Sequence, residues 1–219
     1  MKKINKLLSV ILALLMIVSL IPMSTITASA ATYSGDCGSN LTWTYDSETC
    51  ILTISGTGAM YNYYNSNDIP WRNYRNNIKT IVINEGVTTI GTLAFSRCKY
   101  VTSVIIPNSV TIIGSAAFIE CASLPNVTLP NSVTAIGTQA FFGTSLTTVT
   151  IPASVTAIDY GPFSGCTSLT EIIVDGDNKN FSNDENGVLF NKDKTTLIQY
   201  PVGNTRTSYA IPDSVTRIA

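Results

Sequence analysis

The chain has 219 residues and a formal charge of −1; 45% of the residues are hydrophobic, only 12% are charged and none is histidine. An average chain carries about a quarter charged residues, so the polar surface here is built from Thr, Ser and Asn, and no basic block is present to grip phosphates, which excludes nucleic acid as a partner. The lack of histidine removes the commonest general base and a frequent metal ligand.

Residues 1–30 read as a secretory signal peptide. Lys2, Lys3 and Lys6 form the basic start, Leu7 to Met23 is an apolar run broken only by Ser9, Ser19 and Pro22, and Ala28-Ser29-Ala30 supplies small residues for cleavage before Ala31. The apolar run is at the lower limit for a membrane span, and the A-x-A site argues for removal, so no membrane span is expected afterwards. Cleavage takes away three lysines and moves the formal charge from −1 to −4.

Residues 31–77 form an N-terminal region without repeats. Leu41 to Tyr45 alternates in polarity, Asp46-Ser47-Glu48 reads as a turn, and Ile51 to Ile54 is extended. That pattern predicts a β-hairpin, with the role of capping the open end of the repeat array. Cys37 and Cys50 flank the hairpin and are the candidate disulfide pair in an exported chain, with two free thiols as the alternative.

The repeat is the main signal and spans residues 78–169. Residues 105–118 read IIPNSVTIIGSAAF, 128–141 TLPNSVTAIGTQAF and 150–163 TIPASVTAIDYGPF; 82–95, VINEGVTTIGTLAF, is a looser copy. Phe95, Phe118, Phe141 and Phe163 recur at steps of 23, 23 and 22 residues, and Ile90, Ile113, Ile136 and Ile158 keep step with them. Each unit reads as a strand, a turn at Pro, a second extended piece, a bend at Gly and an apolar plug at Phe. Four inward side chains give about 6–12 kcal/mol, whereas ordering a unit costs roughly 35 kcal/mol. One unit cannot fold alone, and neighbours must cover it. Cys98, Cys121 and Cys166 share one repeat position, three residues after Phe, with Thr144 there in the third copy; they are expected in the core, reduced and structural.

This period, with the phrase IPxSVTxIGxxAFxxC, resembles the BspA-type leucine-rich repeat family of bacterial surface proteins over residues 79–219. The stretch containing Leu41-Thr42-Trp43, Leu52 to Met60 and Pro70-Trp71 is similar to the leader that often precedes such repeats. The resemblance implies an extracellular or cell-surface role in adhesion or protein binding. The expected fold is a right-handed, curved, β-rich solenoid with short strands, an irregular or short helical convex side, and the N-terminal β-hairpin cap.

Residues 170–209 depart from the repeat. Glu171 to Val174 is the expected strand; a polar insertion from Asp175 to Asp184 comes next, then a hairpin pairing Gly187–Phe190 with Thr196–Tyr200. The acidic insertion fails as an EF-hand, because Lys179, Asn180 and Asn186 stand where an oxygen ligand, the glycine and the terminal glutamate belong. The repeat resumes at Ala210 and residues 210–219 are a truncated final unit, which predicts a fragment or a segment completed by further sequence.

Two surfaces are candidate binding sites. Outward positions of the first strands, Thr80, Val82, Ser103, Ile105, Asn126, Thr128, Thr148, Thr150, Glu171 and Ile173, are expected to stack into one continuous Thr-rich face. Tyr61, Tyr63 and Tyr64, with Trp71 nearby, are the most paratope-like cluster; the competing reading packs Trp71 and some tyrosines against the first coil. No histidine is present to activate a Ser or Cys, and no glycine-rich phosphate loop occurs. The sequence therefore points to a non-catalytic protein without cofactor or metal, secreted or at the cell surface. Its expected partner is an extracellular host or cell-surface protein, with a glycan held by the tyrosine region or a passive spacer role as alternatives.

Overall fold

Every copy of the repeat places its Phe and Ile on one side of the backbone, and a chain so patterned can bury them only by coiling and stacking. The computed structural model describes residues 31–219; the signal peptide read from residues 1–30 lies outside the described residues. Strands β1 (Thr32–Gly38), β2 (Leu41–Asp46) and β3 (Ile51–Gly56) form an antiparallel meander. From there pairing turns parallel. After β4 (Gly58–Ala59), the chain delivers β5 (Thr80–Ile83), β6 (Val87–Ile90), β7 (Ser103–Ile105), β8 (Ile112–Ile113) and β9 (Ala135–Ile136). Then come β10 (Thr148–Ile151), β11 (Ala157–Ile158) and β12 (Glu171–Val174).

Two faces of the coil carry these strands. First strands run in the order β1-β2-β3-β5-β7, with β10-β12 as a separate pair, and second strands run β11-β9-β8-β6-β4. Parallel stacking begins at Ile51, where β3 pairs with β5 and β4 with β6, so residues 51–78 make a coil of their own beneath the first clear copy. Among the described residues there is no helix; the third side of each coil, where a short helix was one option, is a run of turns.

The first-strand face is not continuous, contrary to expectation. Asn126 to Leu129 form no strand, and the face divides between β7 and β10. Pro125 explains the break. Thr102 and Thr170 each donate a backbone N–H to the coil before, to Lys79 and Thr147, and Pro125 at the equivalent place has no N–H to give.

The recurring phrase Ser-Val-Thr is a set of stitches. Ser109, Ser132 and Ser154 donate their hydroxyls to the carbonyls of Val87, Val110 and Val133 in the coil before, at 2.6–2.8 Å. Thr111, Thr134 and Thr156 do the same to Thr88, Thr111 and Thr134. The central Val of each copy, Val110, Val133 and Val155, is fully buried. Gly114 is required by close approach: a Cβ there would stand 2.8 Å from the Ile90 carbonyl oxygen.

The turn side holds the core together. Phe95, Phe118, Phe141 and Phe163 are all fully buried and stack with centroids 5.2, 5.3 and 5.7 Å apart. Trp71 extends the column, 5.6 Å from Phe95. Ile90, Ile113 and Ile136 are buried with them, whereas Ile158 is half-buried because β11 is the last strand of its sheet. Two residues in each copy, two before and two after Phe, have positive φ: Leu93 and Arg97, Ala116 and Glu120, Gln139 and Gly143, Gly161 and Gly165. These turns aim every second N–H, that of the Phe and of its two positive-φ neighbours, at the next coil, while the N–H groups between them bond within their own coil. Phe95, Phe118 and Phe141 therefore donate to Ala117, Ala140 and Pro162 of the next coil at 2.7–2.8 Å, with their positive-φ neighbours bonding in parallel.

Past Val174 the polar insertion contains β13 (Phe181–Asn183), and the hairpin of β14 (Leu189–Asn191) and β15 (Thr196–Gln199) comes after it. The last strand, β16 (Arg217–Ile218), pairs in parallel with β15. Asn178 anchors the insertion from a fully buried position, donating to the Pro152 and Val155 carbonyls and accepting from the N–H groups of Asn180 and Phe181. Val188, Phe190 and Leu197 form a small second core with Tyr200, Tyr209 and Val215.

The positive-φ pattern makes a substitution pair decisive. Gly143 has φ +67, and the nearest atom to its Cβ place is at 3.9 Å, so Gly143→Ala should cost about 1–2 kcal/mol through backbone strain alone. Ala116 has φ +53 without glycine's freedom, so Ala116→Gly should be neutral or stabilise by up to about 1 kcal/mol, against the usual trend. Urea unfolding of both variants checks this.

Candidate functional site

The first-strand face is assembled by simple alternation: Ile81, Ile83, Val127, Leu129, Val149, Ile151 and Ile172 point inward and are buried, so their neighbours point out. Parallel register sets Thr80 beside Ser103, Val82 beside Ile105, Thr148 beside Glu171 and Thr150 beside Ile173. Ser103, Asn126, Thr128, Thr148, Thr150 and Glu171 are exposed, while Thr80 and Val82 are half-buried. Ile105 is 54% exposed and Ile173 39%. The result is two patches, one on either side of the break at Pro125, each bearing an isoleucine framed by Thr, Ser or Glu.

The tyrosines separate. Tyr61 and Tyr64 are exposed, at 48% and 87%, but Tyr63 is only 6% exposed and leaves the candidate binding set. The Tyr63 N–H donates to the Thr92 carbonyl just as that of Leu93 donates to Ser115, which places Tyr63 at the repeat position of the half-buried Leu93, Ala116 and Gln139; its deeper burial comes from its ring. Its ring meets Trp71 edge-on at 6.1 Å, and burial, with Cys37 nearby, pushes its hydroxyl pKa up. Trp71 is fully buried between Trp43 and Phe95. The signal for it in the sequence is a spacing of 24 residues to Phe95, one more than the repeat.

The cysteines also resolve. Cys37 and Cys50 are both free thiols, which corrects the candidate disulfide. Cys37 lies at the end of the meander where Gly38 faces Leu41, and Cys50 at the other end, where Ile51 faces Asp46. Several residues of β2 separate them, on the order of 15 Å at about 3.4 Å per residue, whereas disulfide Cα atoms lie within about 7 Å. Cys98, Cys121 and Cys166 are buried and unbridged. Cys121 and Cys166 donate to the carbonyls of Phe95 and Phe141 in the coil before, at 3.2 and 3.1 Å. Burial pushes the Cys98 thiol up to about 12, and burial with nearby Asp36 does the same for Cys37; Cys121 and Cys166 are raised by burial as well.

The acidic insertion is held by its own chain. Desolvation opposes ionisation of Asp184, but N–H groups of Val188 and Asn186 and the Tyr209 hydroxyl, at 2.7–2.9 Å, outweigh it and hold the carboxyl below its usual range. Its oxygens are thereby committed to shaping the loop.

Sequence reasoning passed over one cluster. Arg97 and Glu120 occupy the same repeat position in successive coils and form an ion pair at 3.1 Å beside Tyr64. Opposite charges one repeat apart were the available signal.

A family model described as "BspA type Leucine rich repeat region (6 copies)" matches residues 72–196. Among solved structures, a leucine-rich repeat protein from Eubacterium ventriosum is 31% identical, with a TM-score of 0.70 over 86% of this chain and 56% of that one. A leucine rich cell surface protein from Faecalibacterium prausnitzii is 25% identical, with a TM-score of 0.55 over 87% of this chain and 66% of its own. The pneumococcal vaccine antigen PcpA shares the fold at 22% identity, with a TM-score of 0.58 over 84% of this chain and 60% of that one. The chain thus spans between about half and two thirds of the length of these proteins. No curated sequence matches it.

The buried thiols carry a pH dependence. In the unfolded chain they ionise near 9, whereas in the fold Cys37 and Cys98 stay protonated to about 12. A raised folded pKa means the unfolded state loses protons first, so the stabilisation is full below pH 9 and is lost as pH rises from 9 to 12. Urea midpoints should fall across that window. Without reductant, iodoacetamide should label Cys50 in the native chain and all five cysteines only after unfolding; a native mass showing a Cys37–Cys50 bridge would contradict the structure.

Proposed function

The chain belongs to the BspA-type leucine-rich repeat family, and from that premise we propose that it is a non-catalytic, secreted or surface-displayed bacterial protein that binds an extracellular partner protein through its first-strand face. A leucine rich cell surface protein stands among its structural relatives, and no helix among the described residues is long and apolar enough to cross a membrane.

One observation carries the reading: Ile105 and Ile173 stand exposed on rigid parallel strands, where neither contributes to the core. Scattered apolar residues are ordinary on surfaces, but these two sit in register with Val82 and Thr150, and so offer preformed apolar spots with hydroxyl-bearing rims. A partner meets side chains already fixed by strand geometry and loses little conformational entropy in doing so. Burial of such spots inside a polar rim is how interfaces concentrate their energy. Low charge density makes the association only weakly dependent on salt.

Biolayer interferometry against immobilised matrix and serum proteins tests the reading. Saturable binding to at least one of them is expected, weakened about tenfold or more by Ile105→Arg and by Thr150→Arg, with circular dichroism unchanged. Tyr160→Ala, at an exposed turn on another side of the coil, should leave binding as it was. Absence of saturable binding, or binding indifferent to both arginine variants, would remove the first-strand face from the function and favour a spacer role.

A further inference from the structure

A groove of about 260 Å3 runs between the loop at Tyr64–Ser66 and the turns of the next two coils, walled by Leu93, Ser96, Arg97 and Glu120. Its size is just under the roughly 300 Å3 at which ligand pockets begin, which suits one ring-sized group rather than a whole oligomer. It lies on the turn side, away from the isoleucine patches.

Three features mark it as more than a surface crease. Ser96 is only 4% exposed, and its hydroxyl, which bonds no group among the described residues, is reached from the groove, where water or a visiting group completes it. The Ser96 carbonyl is equally idle. Its counterparts Ile119 and Phe142 accept the N–H groups of Arg97 and Glu120, but the coil below Ser96 departs at Tyr63 after a single bond to Thr92, so the ladder starts with an empty acceptor. Beside this point the Tyr64 ring is 87% exposed and is stacked on no other ring among the described residues.

The charges narrow the ligand. Arg97 Nε donates to Glu120 Oε2 at 3.1 Å, which leaves the other guanidinium donors and Glu120 Oε1 without a protein partner among the described residues, on side chains that are 52% and 40% exposed. A paired guanidinium and carboxylate has no net charge to attract an anion or a cation. It suits a vicinal diol, in which each hydroxyl can donate to the carboxylate while accepting from the guanidinium. An exposed ring close by suits the C–H face of the same ring. We infer that this groove is a subsite for one neutral hexopyranose of a glycan, with the sugar face on Tyr64 and its hydroxyls shared among Ser96, Arg97 and Glu120. This subsite is independent of the protein-binding face.

Saturation-transfer NMR on the full chain with the methyl glycosides of glucose, galactose, mannose and N-acetylglucosamine tests the assignment. Saturable binding of at least one glycoside is expected, weakened about tenfold or more by Tyr64→Ala and by Glu120→Gln. Ser96→Ala should bind more weakly while melting no lower than the parent, since its hydroxyl supports nothing in the fold; a purely structural serine would lower the melting temperature instead. Ile105→Arg should leave sugar binding intact. The inference is overturned if no glycoside binds saturably, if Tyr64→Ala changes nothing, or if unstructured peptides compete for Tyr64 where the glycosides do not.

Discussion

Phe118 lies between Phe95 and Phe141 at 5.2 and 5.3 Å, and no coil of this protein could bury its ring without the coils on either side. Everything else in the fold serves that stacking. Ser and Thr hydroxyls stitch each second strand to the carbonyls of the previous coil, the thiols of Cys121 and Cys166 reach back to Phe carbonyls, and glycine lets backbones approach at the bend. Even the backbone strain has this purpose. Residues such as Leu93 and Glu120 accept positive φ because the paired turns around each Phe aim its N–H at the next coil. Strain of about 1–2 kcal/mol per residue is sustained only because a hydrogen bond and a buried ring depend on it.

Much of this was legible in the sequence because the repeat reports the same environment several times. The Phe and Ile registers and the buried cysteines derive from position within the copy, and the hairpin of β14 and β15 from two extended runs around a polar turn. What escaped was set by single residues that break the copy. Pro125 lacks one N–H and splits a sheet that alternation alone makes continuous. Tyr63 looks like a surface tyrosine within its run, yet its ring packs edge-on against Trp71 and is buried. Packing of Trp71 against the first coil was legible, but not that it fills a Phe place with a spacing off by one. Cys37 and Cys50 flank a hairpin in the linear reading, but a three-stranded meander puts them at opposite ends.

The binding surfaces were legible only in part, for a related reason. Alternation reveals which residues face outward, so Ile105, Thr128, Thr150 and Ile173 could be named from sequence. Whether outward neighbours form one patch or two depends on ladder continuity, which is a property of backbone donors and not of side-chain pattern. The Tyr64 groove is less visible still. It exists because the lowest coil supplies only one of the donors that higher coils supply, leaving Ser96 idle, and that shortfall has no motif.

Amide hydrogen exchange tests the stacking account most directly. If coils hold one another through the aligned ladder, the N–H groups of Phe95, Phe118 and Phe141 should exchange together and only through global unfolding, while that of Ser115, which has no partner among the described residues, exchanges quickly. Phe118 exchanging as fast as Ser115, or each coil opening at its own much lower free energy, would contradict it.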